Sequence, residues 1–234
     1  MVIFINLTDL RFSNSIYIIR SVSYEKKTVE QIAKETELSI LAVNKIVYDL
    51  VKKEIFIKIK DNSMKMGRPK LLVALNPILY SIIITRENNL FLTSRITVDG
   101  EYSELFTIPT TLFKHEYDAI SYIKSKIDTN DKNLIGIIYV DENADKVDGI
   151  SHISNYHPID LFVRAISDEE KVICFEYDNY KILINHGKAK MIECDKSQLS
   201  NIIDIDNYYI IDNKDDAIIE SVRLLTIKDL KKRI

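Results

Sequence analysis

The chain has no tryptophan, five glycines, four prolines, four histidines and two cysteines in 234 residues. Missing tryptophan and scarce glycine say nothing about function by themselves. Cys174 and Cys194 form no metal-binding pattern, and a reduced cytoplasmic setting is the default for such a pair. His115, His152, His157 and His186 are dispersed. His152 and His157 flank one loop, but without a carboxylate motif between them they do not describe a metal site. The acidic residues from Asp141 to Asp148 read as a solvated loop rather than a cation cage. No stretch reaches the ~18 consecutive apolar residues of a membrane span, so no membrane partner is expected. The apolar start, Met1-Val2-Ile3-Phe4-Ile5, is brief and lacks a basic flank, which excludes a secretory signal. No motif implies a cofactor.

What is present argues for folded domains. The hydrophobic fraction of 46% excludes wholesale disorder. The length fits one large or two modest domains. Formal charge is −3 overall, which taken alone argues against a nucleic-acid partner. The charge is unevenly spread, however. Residues 1–70 hold 13 Lys/Arg against 8 Asp/Glu, net +5, and residues 71–234 hold 19 against 27, net −8. Such asymmetry suits a basic reader attached to an acidic module.

Residues 28–77 organise the chain. Within them, Val43, Ile46, Val47 and Leu50 recur at i, i+3, i+4 and i+7, one face of a helix over about 39–53. Ser39 is its expected N-cap. Ile40 and Leu41 sit at its front end, and Asn44, Lys45 and Tyr48 lie on the opposite side, available to bases and phosphates. Thr28-Val29-Glu30-Gln31 fits a capping box for a preceding short helix whose buried residues are Ile32 and Ala33. Two short helices with so compact a link make a helix-turn-helix pattern. An ordinary αα-hairpin in a helical core fits these residues as well.

The next stretch favours the first alternative. Phe56-Ile57-Lys58-Ile59-Lys60 alternates like a half-buried strand, and Leu71 to Leu75 is a second strand closed by Asn76-Pro77. Asp61-Asn62-Ser63 has turn chemistry. Between the strands lies a basic tip, Lys65-Met66-Gly67-Arg68-Pro69-Lys70. Gly67 permits close backbone approach, and Arg68 suits a narrow, electronegative minor groove. The plainer reading of Arg68 is a solvated turn residue. Expected DNA contacts are therefore Ser39, Ile40, Leu41, Asn44, Lys45, Tyr48, Lys65, Gly67, Arg68 and Lys70.

The run Thr28 to Ser39, then Gly67-Arg68-Pro69-Lys70-Leu71-Leu72 and Leu75-Asn76-Pro77, resembles the N-terminal domain of ROK-family transcriptional repressors. The resemblance covers about residues 12–77. That family joins a winged helix-turn-helix to a sugar-kinase-like domain. The resemblance implies an α+β chain with a DNA-binding domain over 1–77 and a degenerate ROK-like α/β domain over 78–234. It also implies double-stranded DNA as partner, a homodimer, and a small-molecule sugar effector.

Along the rest of the chain, the first helix is expected over 13–22, with Ile16, Ile19 and Val22 inward. Strands are expected over 80–85, 90–98, 104–108, 134–140, 172–175 and 208–211. Helices are expected over 116–127, over 158–166 and from about 215, and Arg86-Glu87-Asn88-Asn89 and Asp99-Gly100 are expected turns. The order β-β-β-α-β-α-β is that of one lobe of the actin-like sugar-kinase fold. Val172 to Tyr180 resembles the strand ending V-E-N-D-A-N of ROK kinases. Glu176 and Asp178 then mark a degenerate sugar site, Asp178 standing where the family's base stands. Tyr177 and Tyr180 replace its asparagines and crowd a sugar. The plainer reading has Asp178 N-capping a helix to about His186.

The resemblance stops short of catalysis. Ile84-Thr85-Arg86-Glu87-Asn88 stands where the family has its D-x-G-G-T phosphate loop, without glycine. The family's P-G-x-V-D loop is reduced to Tyr139-Val140-Asp141-Glu142-Asn143 or to Val147-Asp148-Gly149, and its zinc segment is missing. Only 157 residues follow Pro77 (234 − 77), roughly one lobe, whereas nucleotide binds between two. Phosphoryl transfer depends on positioning and charge around the phosphates. The expected function is therefore a cytoplasmic DNA-binding regulator, a repressor without kinase activity. The alternatives are a residual carbohydrate-binding or kinase-like protein, and a protein-interaction adaptor whose winged domain does not touch DNA.

Overall fold

The computed structural model describes residues 7–61, 69–141, 150–166, 172–177, 180–185, 188–192, 208–211 and 214–234. It divides into two compact units, Met1–Leu79 with Ile227–Ile234, and Tyr80–Thr226. The chain is a mixed α and β protein with a central mixed sheet.

The first unit has three helices, α1 (Leu7–Ser21), α2 (Val29–Thr36) and α3 (Ile40–Lys52), then a hairpin of β1 (Phe56–Asp61) and β2 (Lys70–Leu75). Local chemistry sets the helix ends. Thr28 Oγ1 accepts from the Gln31 amide at 3.2 Å, and the Gln31 side chain accepts from the Thr28 amide at 2.8 Å. Glu37 ends α2 in the left-handed region at φ 56. Ser39 Oγ then accepts from the Ala42 amide at 3.2 Å and starts α3. Each such cap is worth about 1 kcal/mol. Val43, Ile46, Val47 and Leu50 of α3 are buried, as are Ile32, Ile55, Phe56, Val73 and Leu75 of the same unit.

Helix α1 departs from expectation. It starts at Leu7 rather than 13, and its buried positions are Ser15, Ile18, Ile19 and Ser21, with buried Val22 just past its end, while Ile16 is only half-buried. Ser15 can occupy the stripe because its hydroxyl donates to the Arg11 carbonyl at 2.9 Å. The hairpin pairs Phe56 with Leu75 through to Asp61 with Lys70. Lys27 extends it by one rung, exchanging backbone bonds with Val73 at 3.0 and 2.7 Å. Burial alone would lower the Lys27 pKa. The carboxylates of Glu35 at 2.5 Å and Glu25 at 3.3 Å outweigh that and hold it above its ordinary value. Asn62 and Ser63 of the expected turn lie outside the described residues.

In the second unit, β3 (Tyr80–Glu87), β4 (Leu90–Thr97) and β5 (Tyr102–Pro109) form an antiparallel meander. Strand β6 (Leu134–Val140) joins β3 in parallel, and β7 (Ile153–Tyr156) joins β6 in parallel. The order is β5-β4-β3-β6-β7. Ile82 and Ile84 pack with Ala119, Ile120 and Ile123 of α4 (Glu116–Ser125). Ile83 packs on the other face, with Leu161 and Phe162 of α5 (Pro158–Ile166) and Val222 of α6 (Lys214–Asp229). A strand covered on both faces needs no polar alternation, hence the run Ile82-Ile83-Ile84. Arg86 and Glu87 belong to β3 rather than to the turn, which is Asn88-Asn89 with Asn88 at φ 52. The β4–β5 turn uses Gly100 at φ +92, a conformation open to glycine.

Two expectations are overturned here. A second sheet exists, in the order β10-β9-β8-β11. Its strands are β8 (Val172–Tyr177), β9 (Tyr180–Asn185), β10 (Lys188–Ile192) and β11 (Tyr208–Ile211). From the sequence, only the strands over 172–175 and 208–211 are expected in this stretch. The helix expected from Asp178 to about His186 is instead β9, antiparallel to β8, with Tyr177 opposite Tyr180. The run Ile182-Leu183-Ile184 is continuously apolar and has no helical spacing, which suits a strand.

Tyr80 sits where β3 meets the loop before β6. Its hydroxyl donates to Asp131 Oδ2 at 2.6 Å, and the Arg95 guanidinium lies 4.3 Å from its ring centre. Burial first, then the Asp131 bond, pushes the phenol up to about 12 from the ordinary 10. A raised phenol pKa means the folded state favours the neutral form. That contribution is complete below pH 10 and is lost as the pH climbs from 10 to about 12. Tyr80→Phe should lack this alkaline loss in pH-dependent unfolding. A profile matching the parent's throughout that window would refute the assignment.

Candidate functional site

The first candidate surface is the outer face of α3. Leu41, Asn44, Lys45 and Tyr48 recur at i, i+3, i+4 and i+7, opposite the buried stripe, and all four are exposed. Leu41 is 81% exposed and Tyr48 54%. The Lys52 ammonium lies 4.6 Å from the Tyr48 ring centre, so a cation and an aromatic face are presented together. Asp49, the carboxylate on this helix, is paired with Arg11 of α1. Lys34 of α2, Lys58 and Lys60 of β1 and Lys70 of β2 are also exposed.

Each expected contact has a place or lies beyond description. Ser39 caps α3 with its oxygen. Ile40 and Leu41 occupy the exposed first turn, and Lys70 opens β2 opposite Asp61. Lys65, Gly67 and Arg68 lie outside the described residues. Lys52 was missed from the sequence. Its signal was available, since it continues the outer stripe one turn beyond Tyr48.

The second candidate is a cavity of about 400 Å³ in the second unit. It opens at the carboxyl ends of the parallel strands β3 and β6, through Thr85, Arg86, Val140 and Asp141, where ligands of open α/β sheets are bound. Pro158 at the start of α5 and Asp215, Ile218 and Ile219 at the start of α6 close it. Among its described lining residues there is one cation, Arg86, with the carboxylates Glu87, Asp141 and Asp215, and no glycine.

Arg86 is held from behind. Its Nη1 lies 3.8 Å from a Glu116 carboxylate oxygen, and the buried Tyr139 hydroxyl donates to the same carboxylate. Burial, then the Glu116 bond, drives the Tyr139 phenol well above its ordinary range. On the cavity wall the Tyr102 hydroxyl shares a 2.8 Å hydrogen bond with Ser94.

Thr85, Arg86, Val140 and Asp141 meet at this cavity. Glu176 lies on β8 and is not among the described lining residues, and Asp178 lies outside the described residues. No group of three or more His, Cys, Asp or Glu among the described residues is placed to hold a metal ion. No helix among them is long and apolar enough to cross a membrane.

No protein-family model and no curated protein matches the chain. Solved structures similar to it at low identity include these two. One is a ROK family transcriptional regulator, a homologue of the E. coli MLC protein. It aligns at 10% identity over 77% of this chain and 56% of its own, with a TM-score of 0.47. The chain thus spans little more than half that regulator's length. The other, from Bacteroides thetaiotaomicron, has an actin-like ATPase fold and unknown function. It aligns at 11% identity over 62% of this chain and 96% of its own, with a TM-score of 0.29. Similarities this distant carry no argument about activity.

Proposed function

We propose that the chain is a sequence-specific DNA-binding regulator, a repressor acting in the cytoplasm as a homodimer. In this reading residues 1–77 are a winged helix-turn-helix, with α2 and α3 as the helix pair and β1–β2 as the wing. The observation that supports it is the outer stripe of α3, where Asn44, Lys45 and Tyr48 are exposed opposite a wholly apolar inner stripe. Asn44 reads base edges, Lys45 holds phosphate, Tyr48 and Lys52 pack along the backbone, and Arg68 enters the minor groove.

The domain over 78–234 is assigned dimerisation and the binding of a small effector, a sugar in the first instance, without phosphoryl transfer. The absence of glycine from the described lining of the cavity supports the lack of phosphoryl transfer. That cavity also favours the carbohydrate-binding alternative, in which α3 touches no DNA.

Selection of duplexes from a random pool by the full chain, followed by footprinting, separates the two. A twofold-symmetric footprint is expected. Arg68→Ala and Asn44→Ala should each weaken the selected site roughly tenfold, Asn44→Ala also relaxing its sequence preference. Lys45→Ala should weaken all duplexes alike. Enrichment of no sequence at low salt would sink the reading.

A further inference from the structure

Among the described residues the most exposed large apolar side chain is Leu41, at 81%, with Ile40 beside it at 51%. An isolated exposed leucine needs no explanation. These two occupy the first turn of the helix whose outer face carries Asn44 and Lys45, the end that enters a groove first. No described residue of the first unit covers Leu41, and Lys45 lies one turn further along the same exposed face. Resting on the DNA-binding reading above, we infer that Leu41 is a specificity residue whose ligand is the 5-methyl group of thymine in the major groove, read together with an adenine contacted by Asn44.

The chemistry is direct. Thymine is the one DNA base that presents a methyl group in the major groove, and apolar side chains are what reads it. Asparagine pairs in bidentate fashion with adenine N6 and N7. Leu41 and Asn44 are three residues apart, about 4.5 Å along the helix axis. Base pairs stack at about 3.4 Å. The two side chains therefore address the same or adjacent A·T pairs. Lys45, next along the stripe, reaches outward to phosphate, which fixes the register without reading sequence.

The test replaces each thymine of the selected site, one at a time, by deoxyuracil, which removes the methyl and keeps every hydrogen-bonding group. Full-length protein is titrated against each duplex. One position is expected to lose affinity about fourfold, the value of one buried methyl group. Leu41→Ala should bind the parent site about as weakly as wild type binds that uracil duplex, and should no longer distinguish the two duplexes. Leu41→Met, which keeps an apolar tip, should restore the distinction. An unchanged melting temperature for Leu41→Ala is expected from its exposure and rules out misfolding.

Equal binding of thymine and uracil duplexes at every position would overturn the inference and leave DNA binding standing. A uracil effect that persists unchanged in Leu41→Ala would overturn the assignment of the methyl contact to this residue. Binding to no duplex would overturn the underlying reading and the inference with it.

Discussion

Raising the salt from about 50 to about 200 mM should weaken the complex of the full chain with its selected duplex by roughly 500-fold. Exposed cations among the described residues of α2, α3 and the hairpin include Lys34, Lys45, Lys52, Lys58, Lys60 and Lys70. If roughly five phosphates are neutralised, log affinity falls with log salt at a slope near −4.5, since each releases its condensed counterion. Lys45→Ala should make the slope shallower by about 0.9. Asn44→Ala should lower affinity and leave the slope alone, because a base contact releases no counterion. Fluorescence anisotropy across the salt series measures both. A slope shallower than about −1 for the wild-type chain would mean that these lysines do not face phosphate.

The second large effect concerns stability. Glu220→Ala should destabilise the second unit by about 3 kcal/mol, lowering its melting temperature on the order of 10 °C. Arg223 is 7% exposed, and it donates from Nε and Nη2 to the two Glu220 oxygens at 2.7 and 2.6 Å. Its Nη1 reaches the Val98 carbonyl at 3.4 Å. Deleting the carboxylate leaves a buried cation without its two strongest bonds. Arg223→Leu should cost clearly less, because it removes the buried charge along with its desolvation and keeps the volume beside Gly100. Calorimetry on both variants checks the order, and Arg223→Leu proving the more harmful would reverse the account.

The parts of this fold legible in the sequence are those written in local chemistry. The capping box at Thr28 and the cap at Ser39 need only neighbouring residues, and the stripe Val43, Ile46, Val47, Leu50 has one period that fits. The run Ile82-Ile83-Ile84 marks a strand buried on both faces. Strand β7 was not legible, because Ile153-Ser154-Asn155-Tyr156 is too short and polar to stand out, and only its partner β6 makes it a strand. The N-cap reading of Asp178 leads to a helix where the apolar run at Ile182 makes strand β9. Of the cavity, the half contributed by β3 and β6 could be anticipated. Asp215, Ile218 and Ile219 come from more than seventy residues further on, and only the tertiary fold brings them there.

The assignment of Ile227–Ile234 to the first unit has a consequence for biosynthesis. A ribosome delivers the chain from its N-terminus at roughly 5–20 residues per second. Residues 1–79 emerge early, yet Ile227 and Leu230, both buried, belong to the same unit and are made about 150 residues later. At that pace the early part waits on the order of ten seconds for its last pieces. The intervening sheets of Tyr80–Thr226 have that interval in which to form. The unit begun first is therefore the one completed last, and the nascent chain has no finished first unit with which to engage a partner until translation has passed Leu230.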